Sequence, residues 1–435
     1  MEQPGSTLPR RQMLVFWLPL AASWLLMSAE VPVLQAAIAR LADMETELAA
    51  FGIVTSLQIA IESPVIMLLA TSTALTTSHR NYCTLRVFMA GINVLCTIVA
   101  LLMAFTPLYD LVVRSWMGIP PDIAAAALPG MKIMILWAAA IGVRRFFQGV
   151  MIRQGQTRWV GYGTVVRLLS SGGTGILLAL MTDLPGVSVG SIGLMAGVCS
   201  EAVFAVAAAR PVVRRILRGA GTADPGALTL WEVTRYHTPL AATSLLTLMA
   251  QPVIGAGLAR MPHPSENLAA WPVVWAILFI FRSPAFALPE AVIALISQGR
   301  PQREIRRFCR QVGMVSSAAM ALLVLTPLAG MYLHSVAGLP EALSEFVVPG
   351  LLLSVPLPFI SAVHSWLRGA LMSARRTHVI YWGMGVNLLL MIGLMTLGGI
   401  IQGPGSQTAV VALTAAFLAE LYYLFRKQSR SEPRA

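Results

Sequence analysis

Charge is what this 435-residue chain has least of. Only 11% of its residues are Asp, Glu, Lys or Arg, against 57% hydrophobic residues and a mean hydropathy of +0.73, a balance that excludes a water-soluble domain of this length. Cysteine is also sparse. Cys83, Cys96, Cys199 and Cys309 are scattered over apolar stretches without close pairing, so neither a disulfide framework nor a metal-thiolate site is indicated. No phosphate-cradling loop ends in Gly-Lys-Ser or Gly-Lys-Thr. The run Ser170-Ser171-Gly172-Gly173-Thr174-Gly175 lies inside an apolar stretch without a lysine and fits close helix packing or local unwinding better than a ligand loop. The six histidines are dispersed, and no His/Cys/Glu cluster has metal-ligand spacing. These absences argue against an ATP-driven pump, a metalloenzyme and, more broadly, an enzyme. No cofactor or metal is expected beyond a coupling proton or sodium ion, and no obligate protein partner is implied. No cleavable signal is evident, since the first apolar stretch runs on past signal-peptide length.

Apolar stretches are what the chain has instead. They recur near 13 to 40, 48 to 77, 84 to 107, 124 to 150, 158 to 182 and 187 to 213, then near 236 to 260, 268 to 297, 308 to 327, 343 to 370, 378 to 400 and 405 to 425, each of spanning length. The pattern predicts an all-α polytopic membrane protein of about twelve transmembrane helices. Residues 19 to 169 also align with residues 239 to 389 at one constant offset of 220, without a gap. Pro19 falls on Pro239, Pro32 on Pro252, Arg40 on Arg260 and Ser63-Pro64 on Ser283-Pro284; Thr106-Pro107-Leu108 falls on Thr326-Pro327-Leu328 and Pro129-Gly130 on Pro349-Gly350. The matches concentrate on the Gly and Pro that shape backbones. Two six-helix repeats follow. Because six is even, both enter the membrane from the same side, as parallel repeats around a central cleft. The expected division is an N-terminal bundle over 1–215, a linker over 216–230 containing Gly219-Ala220-Gly221, Pro225 and Gly226, and a C-terminal bundle over 231–435.

The cations fall on alternate connections: Arg10 and Arg11, Arg80 and Arg86, Arg153 and Arg158, Arg214, Arg215 and Arg218, the cluster from Arg300 to Arg310, Arg375 and Arg376, and Arg426, Lys427, Arg430 and Arg434. The other connections carry acids such as Asp43, Glu45, Glu47, Asp110, Asp183, Glu341 and Glu345. A cytoplasmic linker and cytoplasmic termini are expected. The net charge of +12 is then explained by topology and anionic lipid rather than by nucleic acid.

Two parallel six-helix repeats, prolines early in spans 1 and 7, and Gly118-Ile119-Pro120 and Gly338-Leu339-Pro340 before spans 4 and 10 resemble the multidrug, oligosaccharidyl-lipid and polysaccharide exporter superfamily. Five segments are more specific: Phe16-Trp17-Leu18-Pro19-Leu20, Leu48-Ala49-Ala50-Phe51-Gly52, Leu288-Pro289-Glu290, Val347-Val348-Pro349 and Pro356-Leu357-Pro358. They resemble the progressive ankylosis protein family at a low level over most of the chain. That resemblance implies export of small organic anions such as citrate, pyrophosphate or a nucleotide. Cations that are nearly all arginine look like those of a bacterial relative, which places the chain in the inner membrane.

Charges inside spans mark a transport path, because each is costly unless paired or facing water. Glu62 in span 2 and Arg282 in span 8 are repeat-equivalent; they read either as a pair lining the cavity, with Arg282 open to an anion, or as a static ion pair between halves. Glu30 and Glu290 are candidates for coupling or gating with Glu62, and Glu290 matches a glutamate of the ankylosis family. Each could equally be an acid hydrogen-bonded across a helix interface. Glu201 is a weaker candidate, and Glu420 reads as interfacial. Lys132, Arg144, Arg167 and His364, with Arg282, are the substrate-binding candidates, since guanidinium pairs bidentately with carboxylate or phosphate. Arg145, Arg153 and Arg368 fit snorkelling to headgroups better. Pro19, Pro32, Pro64, Pro239, Pro252, Pro284, Pro289, Pro356 and Pro358 are candidate hinges for rocking of two bundles. The resulting expectation is an alternating-access exporter of a small organic anion. A multidrug extruder of organic cations and a lipid-linked saccharide flippase are the alternatives.

Overall fold

The computed structural model describes residues 10–156, 158–218, 226–297, 299–374 and 376–429. The middle of the expected 216–230 linker, including Gly219-Ala220-Gly221 and Pro225, lies outside the described residues, as do Arg375, Arg430 and Arg434.

Among the described residues ten helices are long and apolar enough to cross a membrane, and two bent helix pairs, each taken as one span, bring the number to twelve. In chain order, spans 1 to 6 are Trp17–Ile38, Met44–Leu75, His79–Phe105, the pair Pro121–Ile133 and Trp137–Arg153 bent by 45°, Arg158–Met181 and Gly186–Arg218. Spans 7 to 12 are Leu230–Leu258, Pro264–Ile296, Gln302–Leu325, the pair Glu341–Ser354 and Leu357–Ser373 bent by 46°, His378–Ile400 and Gly405–Gln428. No strand occurs among the described residues. The molecule is a multi-pass membrane protein.

The 220-residue offset recurs in the backbone. Helix Met44–Ile66 returns as Pro264–Phe286, and Trp137–Arg153 as Leu357–Ser373. Left-handed residues recur too, at Asp43 (φ 51°) and His263 (φ 56°) and at Gly118 (φ 72°) and Gly338 (φ 74°).

The candidate hinge prolines divide into two groups. Span 1 is interrupted after Ser28 and span 7 after Leu248, the residues whose carbonyls lose their i+4 donor to Pro32 and Pro252. Span 8 breaks after Phe286, beside Pro289, and span 10 bends after Ser354, beside Pro356 and Pro358. Pro19, Pro239, Pro64 and Pro284 instead lie within continuous helices. Span 4 bends as much as span 10 with no proline between Ile133 and Trp137, so the bend belongs to the architecture rather than to one residue. The glycine run of span 5 admits neighbours within an unbroken helix: a Cβ at Gly172 would meet Val33, and one at Gly175 would meet Leu34 of span 1.

Spans 2 and 8 pack against each other across the pseudo-twofold axis. They meet tightly at Gly52, where a Cβ would run into the ring of Pro272, its repeat equivalent. At this end, where the acidic connections lie, two arginines are exchanged between halves. Arg40 Nη2 donates to Val336 O at 2.8 Å, while Arg260 donates through Nη1 to Met117 O at 2.6 Å and through Nη2 to Trp116 O. Each guanidinium thereby satisfies the last carbonyls of the other half's π-helical turn, Asp110–Trp116 or Tyr332–Val336. Gly118 and Gly338 make the approach possible, since a Cβ at Gly338 would lie 3.2 Å from Arg40 Nη1 and one at Gly118 3.4 Å from Arg260 Cζ.

The arginine-rich end has its own reciprocal exchange. Trp17 Nε1 donates to Pro284 O at 3.1 Å, and its repeat equivalent His237 places Nε2 3.0 Å from Pro64 O. A carbonyl only accepts, so Nε2 carries the proton and Nδ1 accepts from Thr71 Oγ1 at 2.9 Å. Spans 1 and 7 thus cross to the opposite half at this end, each seated on the other half's span 2 or 8. Met13 is buried among Leu288, Val292 and Phe308, and Val233 among residues of the first half.

Candidate functional site

A carboxylate in the middle of a membrane protein needs donors, and each half brings two hydrogen-bond donors and one further cationic or ionisable group to one buried glutamate. In the first half Glu201, on span 6 and 1% exposed, receives Arg144 Nη1 at 2.5 Å and Gln148 Nε2 at 3.1 Å from span 4, with Arg167 Nη1 of span 5 at 3.7 Å. In the second half Glu420, on span 12 and also 1% exposed, has His364 Nε2 at 2.8 Å and Arg368 Nη2 at 2.9 Å from span 10, with Asn387 Nδ2 of span 11 at 3.0 Å. The groups correspond one to one at the 220 offset: Arg144 with His364, Gln148 with Arg368, Arg167 with Asn387. The i, i+4 spacing of the first two places both on one face of the bent span.

The sequence reading ranked Glu201 only as a weaker candidate and set Glu420 aside as interfacial, because 201 and 420 stand one residue out of the 220 register and the repeat does not pair them. The legible signal was on the donor side, in polar residues at i and i+4 of both bent spans. Glu420, expected at the interface, is enclosed by protein at 1% exposure. It is the buried hub of the second half, and Arg368, expected to snorkel, is bound to it.

The two halves diverge around these hubs. Arg167 makes its main contacts with Glu30 of span 1, through Nε to Oε1 at 3.0 Å and Oε2 at 2.9 Å and through Nη2 to Oε2 at 2.7 Å. Its guanidinium lies over the Trp137 ring at 5.6 Å. Gly197 of span 6 leaves room for this pair, a Cβ there standing 3.0 Å from Glu30 Oε1. Glu62 is buried in the same half, where Arg144, Arg167 and Arg145 are the charges acting on it; its Oε2 has no hydrogen-bond partner. No ion pair joins Glu62 to Arg282 among the described residues. The first-half cluster is therefore internally balanced, with Arg144, Arg145 and Arg167 against Glu30, Glu62 and Glu201.

Arg282 has no such balance. It is 3% exposed, its Nε donates to Ser361 Oγ at 2.7 Å, and its guanidinium is surrounded by the rings of Phe417 at 4.7 Å, Phe286 at 5.4 Å and Trp275 at 5.6 Å. No carboxylate lies within ion-pair distance of it among the described residues. The other candidates lie elsewhere. Lys132 is on an exposed face with its ammonium 5.4 Å from the Phe105 ring, apart from the buried clusters. Glu290 is exposed on span 8 and makes no ion pair among the described residues. Arg144 and His364 are spent on Glu201 and Glu420.

No protein-family model matches the sequence, and no curated protein matches it. Solved structures do match. The chain is similar to the inward-facing conformation of a multidrug resistance MATE family transporter of the MOP superfamily, with 13% identity over 94% of this chain and 96% of that one and a TM-score of 0.64. It is similar to a MOP superfamily transporter from Pyrococcus furiosus, described by the reverse polarity of its binding pocket, with 14% identity over 95% of both chains and a TM-score of 0.65. It also matches the lipid II flippase MurJ in an inward closed conformation, with 12% identity over 95% of this chain and 87% of that one and a TM-score of 0.69. The fold is that of the MATE-like transporters.

Proposed function

We propose that the protein is an alternating-access secondary transporter of a small organic anion, working in a bacterial inner membrane with its arginine-rich end in the cytoplasm. The observation that carries this reading is Arg282, a guanidinium buried at membrane depth with no counter-charge. A buried charge costs several kcal/mol unless it is paired, and an anionic cargo is the partner that the fold leaves out. An extruder of organic cations needs free acids. Glu30, Glu201 and Glu420 are all bound to arginine or histidine, Glu62 lies under the charges of Arg144, Arg145 and Arg167, and of the candidate acids only the exposed Glu290 is left over; the Pyrococcus furiosus structure supports a pocket of altered polarity on this fold. The low-level resemblance to the progressive ankylosis protein family agrees with an anion. Glu62, with its unpartnered Oε2, is the residue we assign to proton or sodium coupling, ahead of Glu30 and Glu290.

The test is uptake and efflux of labelled anions and dye cations in proteoliposomes of Arg282→Gln, Arg282→Lys and wild type. A charge-assisted hydrogen bond contributes about 1.5–3 kcal/mol, so Arg282→Gln should lower anion transport about ten- to hundredfold while its yield and gel-filtration profile match wild type. Dye-cation transport indifferent to anions and unchanged in Arg282→Gln overturns the reading. Orientation has a separate check. Reporter fusions at both ends and within 216–230 should all report cytoplasm, and a periplasmic linker contradicts the parallel arrangement.

A further inference from the structure

We infer that the cargo is a monoanion with a flat aromatic body rather than a di- or tricarboxylate such as citrate. This inference rests on the anion reading above. Two observations support it, charge accounting and the divergence of the repeats.

The first is that, among the described residues, no acid lies within ion-pair distance of Arg282 and no acid's charge acts on it from further away. Arg144, Arg167, His364 and Arg368 are each within ion-pair distance of a glutamate, and Arg145 shares the balanced first-half cluster with Glu62 and Glu201. Ser361 occupies Nε, which leaves the Nη1 and Nη2 edge for a single carboxylate, sulfonate or phosphate. A trianion would bring two further charges to membrane depth with nothing to compensate them.

The second is an aromatic lane found in one half only. Along span 8, Trp271 and Trp275 have ring centroids 6.2 Å apart, Trp275 and Phe279 6.4 Å, and Phe279 and Phe286 5.2 Å. Trp24 of span 1 reaches Phe286 at 5.5 Å from the opposite half. Trp275, Phe286 and Phe417 are also the rings around Arg282. The first half keeps a ring only at Phe51 in place of Trp271; it carries Thr55 in place of Trp275, Ile59 in place of Phe279, Ile66 in place of Phe286 and Glu62 in place of Arg282, and in the register that pairs Glu201 with Glu420 it has Val198 in place of Phe417. Packing alone is met in both halves by the same helices, so the packing role does not call for rings on one side. The rings and the free guanidinium appear together, on the same face of the same span. Trp275, Phe279 and Phe286 are only half-buried although they lie on the span at the interface between halves, which leaves ring faces available for stacking. A cargo that pairs its one charge with Nη1 and Nη2 and lays an aromatic plane along the lane satisfies both features.

The probe is radiolabelled naphthalene-1-sulfonate, whose charge is fixed and which therefore does not leak across the bilayer as a neutral acid; citrate is the comparison. Wild-type proteoliposomes should transport the sulfonate and not citrate. Trp275→Leu and Phe286→Leu, which keep the site apolar but remove the ring, should each lower sulfonate transport about fivefold or more, as lost base-like stacking does elsewhere, and the protein should remain monodisperse. Citrate transport that depends on Arg282 and ignores both leucine variants overturns this inference and leaves the anion reading standing. Transport of neither anion, with dye cations moved instead, removes both. Sulfonate transport unaffected by the leucine variants retains the monoanion and overturns the aromatic lane.

Discussion

Glu30→Gln should yield little folded protein, and Glu30→Gln combined with Arg167→Gln should restore it. Arg167 is buried between spans 1, 5 and 6, and Glu30 supplies all three of its short carboxylate contacts. Removing the carboxylate leaves a guanidinium whose nearest remaining acid oxygen is Glu201 Oε2 at 3.7 Å, already held by Arg144 at 2.5 Å. Breaking one side of a buried pair costs about 3–5 kcal/mol, because the remaining charge is uncompensated. That is a large share of the ~5–15 kcal/mol that holds a typical domain together. Replacing both members by neutral side chains removes the uncompensated charge and comes close to neutral. The measurement is the folded fraction by fluorescence-detected gel filtration and the midpoint of thermal aggregation in detergent. The sequence-derived alternative, in which Glu30 is a coupling site, expects a folded and monodisperse Glu30→Gln with altered proton or sodium dependence. A wild-type midpoint for the single variant would transfer Glu30 from the structural network to the coupling machinery.

The sequence carried most of the architecture and only part of the chemistry, for identifiable reasons. Spanning length and the gapless offset were readable because hydropathy and proline placement are local properties. The same offset located Arg40 and Arg260 as equivalents, although nothing in the sequence says that each serves the other half's carbonyls. Trp17 and His237 stayed hidden for a related reason. Their side chains are unlike, yet each points one N–H at a proline carbonyl, so the function repeats where the residue type does not. Glu201 and Glu420 were obscured by a one-residue slip in register on the last span of each half, where the gapless alignment has already ended at 169 and 389. Glu62 and Arg282 misled in the opposite direction. Equivalent positions and opposite charges suggested a pair, but the axis relating the halves sets each among the groups of its own half. Lys132 shows the limit of counting charges along a span, because depth is legible from sequence and the outward or inward azimuth of a single residue in an apolar helix is not.

Gly52→Leu should abolish transport, to below about a tenth of the wild-type rate, while leaving a folded protein. At Gly52 spans 2 and 8 touch through backbone and the Pro272 ring, with no space for even a Cβ, and the two arginine exchanges at Arg40 and Arg260 close the same end. A leucine there cannot be absorbed by rotamer adjustment, since its first carbon already meets the ring. The helices must separate at this crossing. Separation at the acid-bearing end is what an alternating-access cycle performs when it opens to that side, so the bulky side chain favours one existing state instead of destroying the fold. The shift needed is modest. Two to three kcal/mol of overpacking, about what a misfitted core side chain costs, converts a balanced two-state equilibrium to one state populated about thirty- to a hundredfold over the other. Ser56, one turn along the same helix and 8% exposed, supplies the readout. In a background with Cys83, Cys96, Cys199 and Cys309 replaced by alanine, a Ser56→Cys thiol should react slowly with a membrane-impermeant maleimide in the parent and rapidly in Gly52→Leu. Gly52→Ala, with only the first carbon added, should fall between them. Normal transport by Gly52→Leu, or equal labelling in all three, would mean that this crossing stays shut throughout the cycle and that the halves move about some other contact.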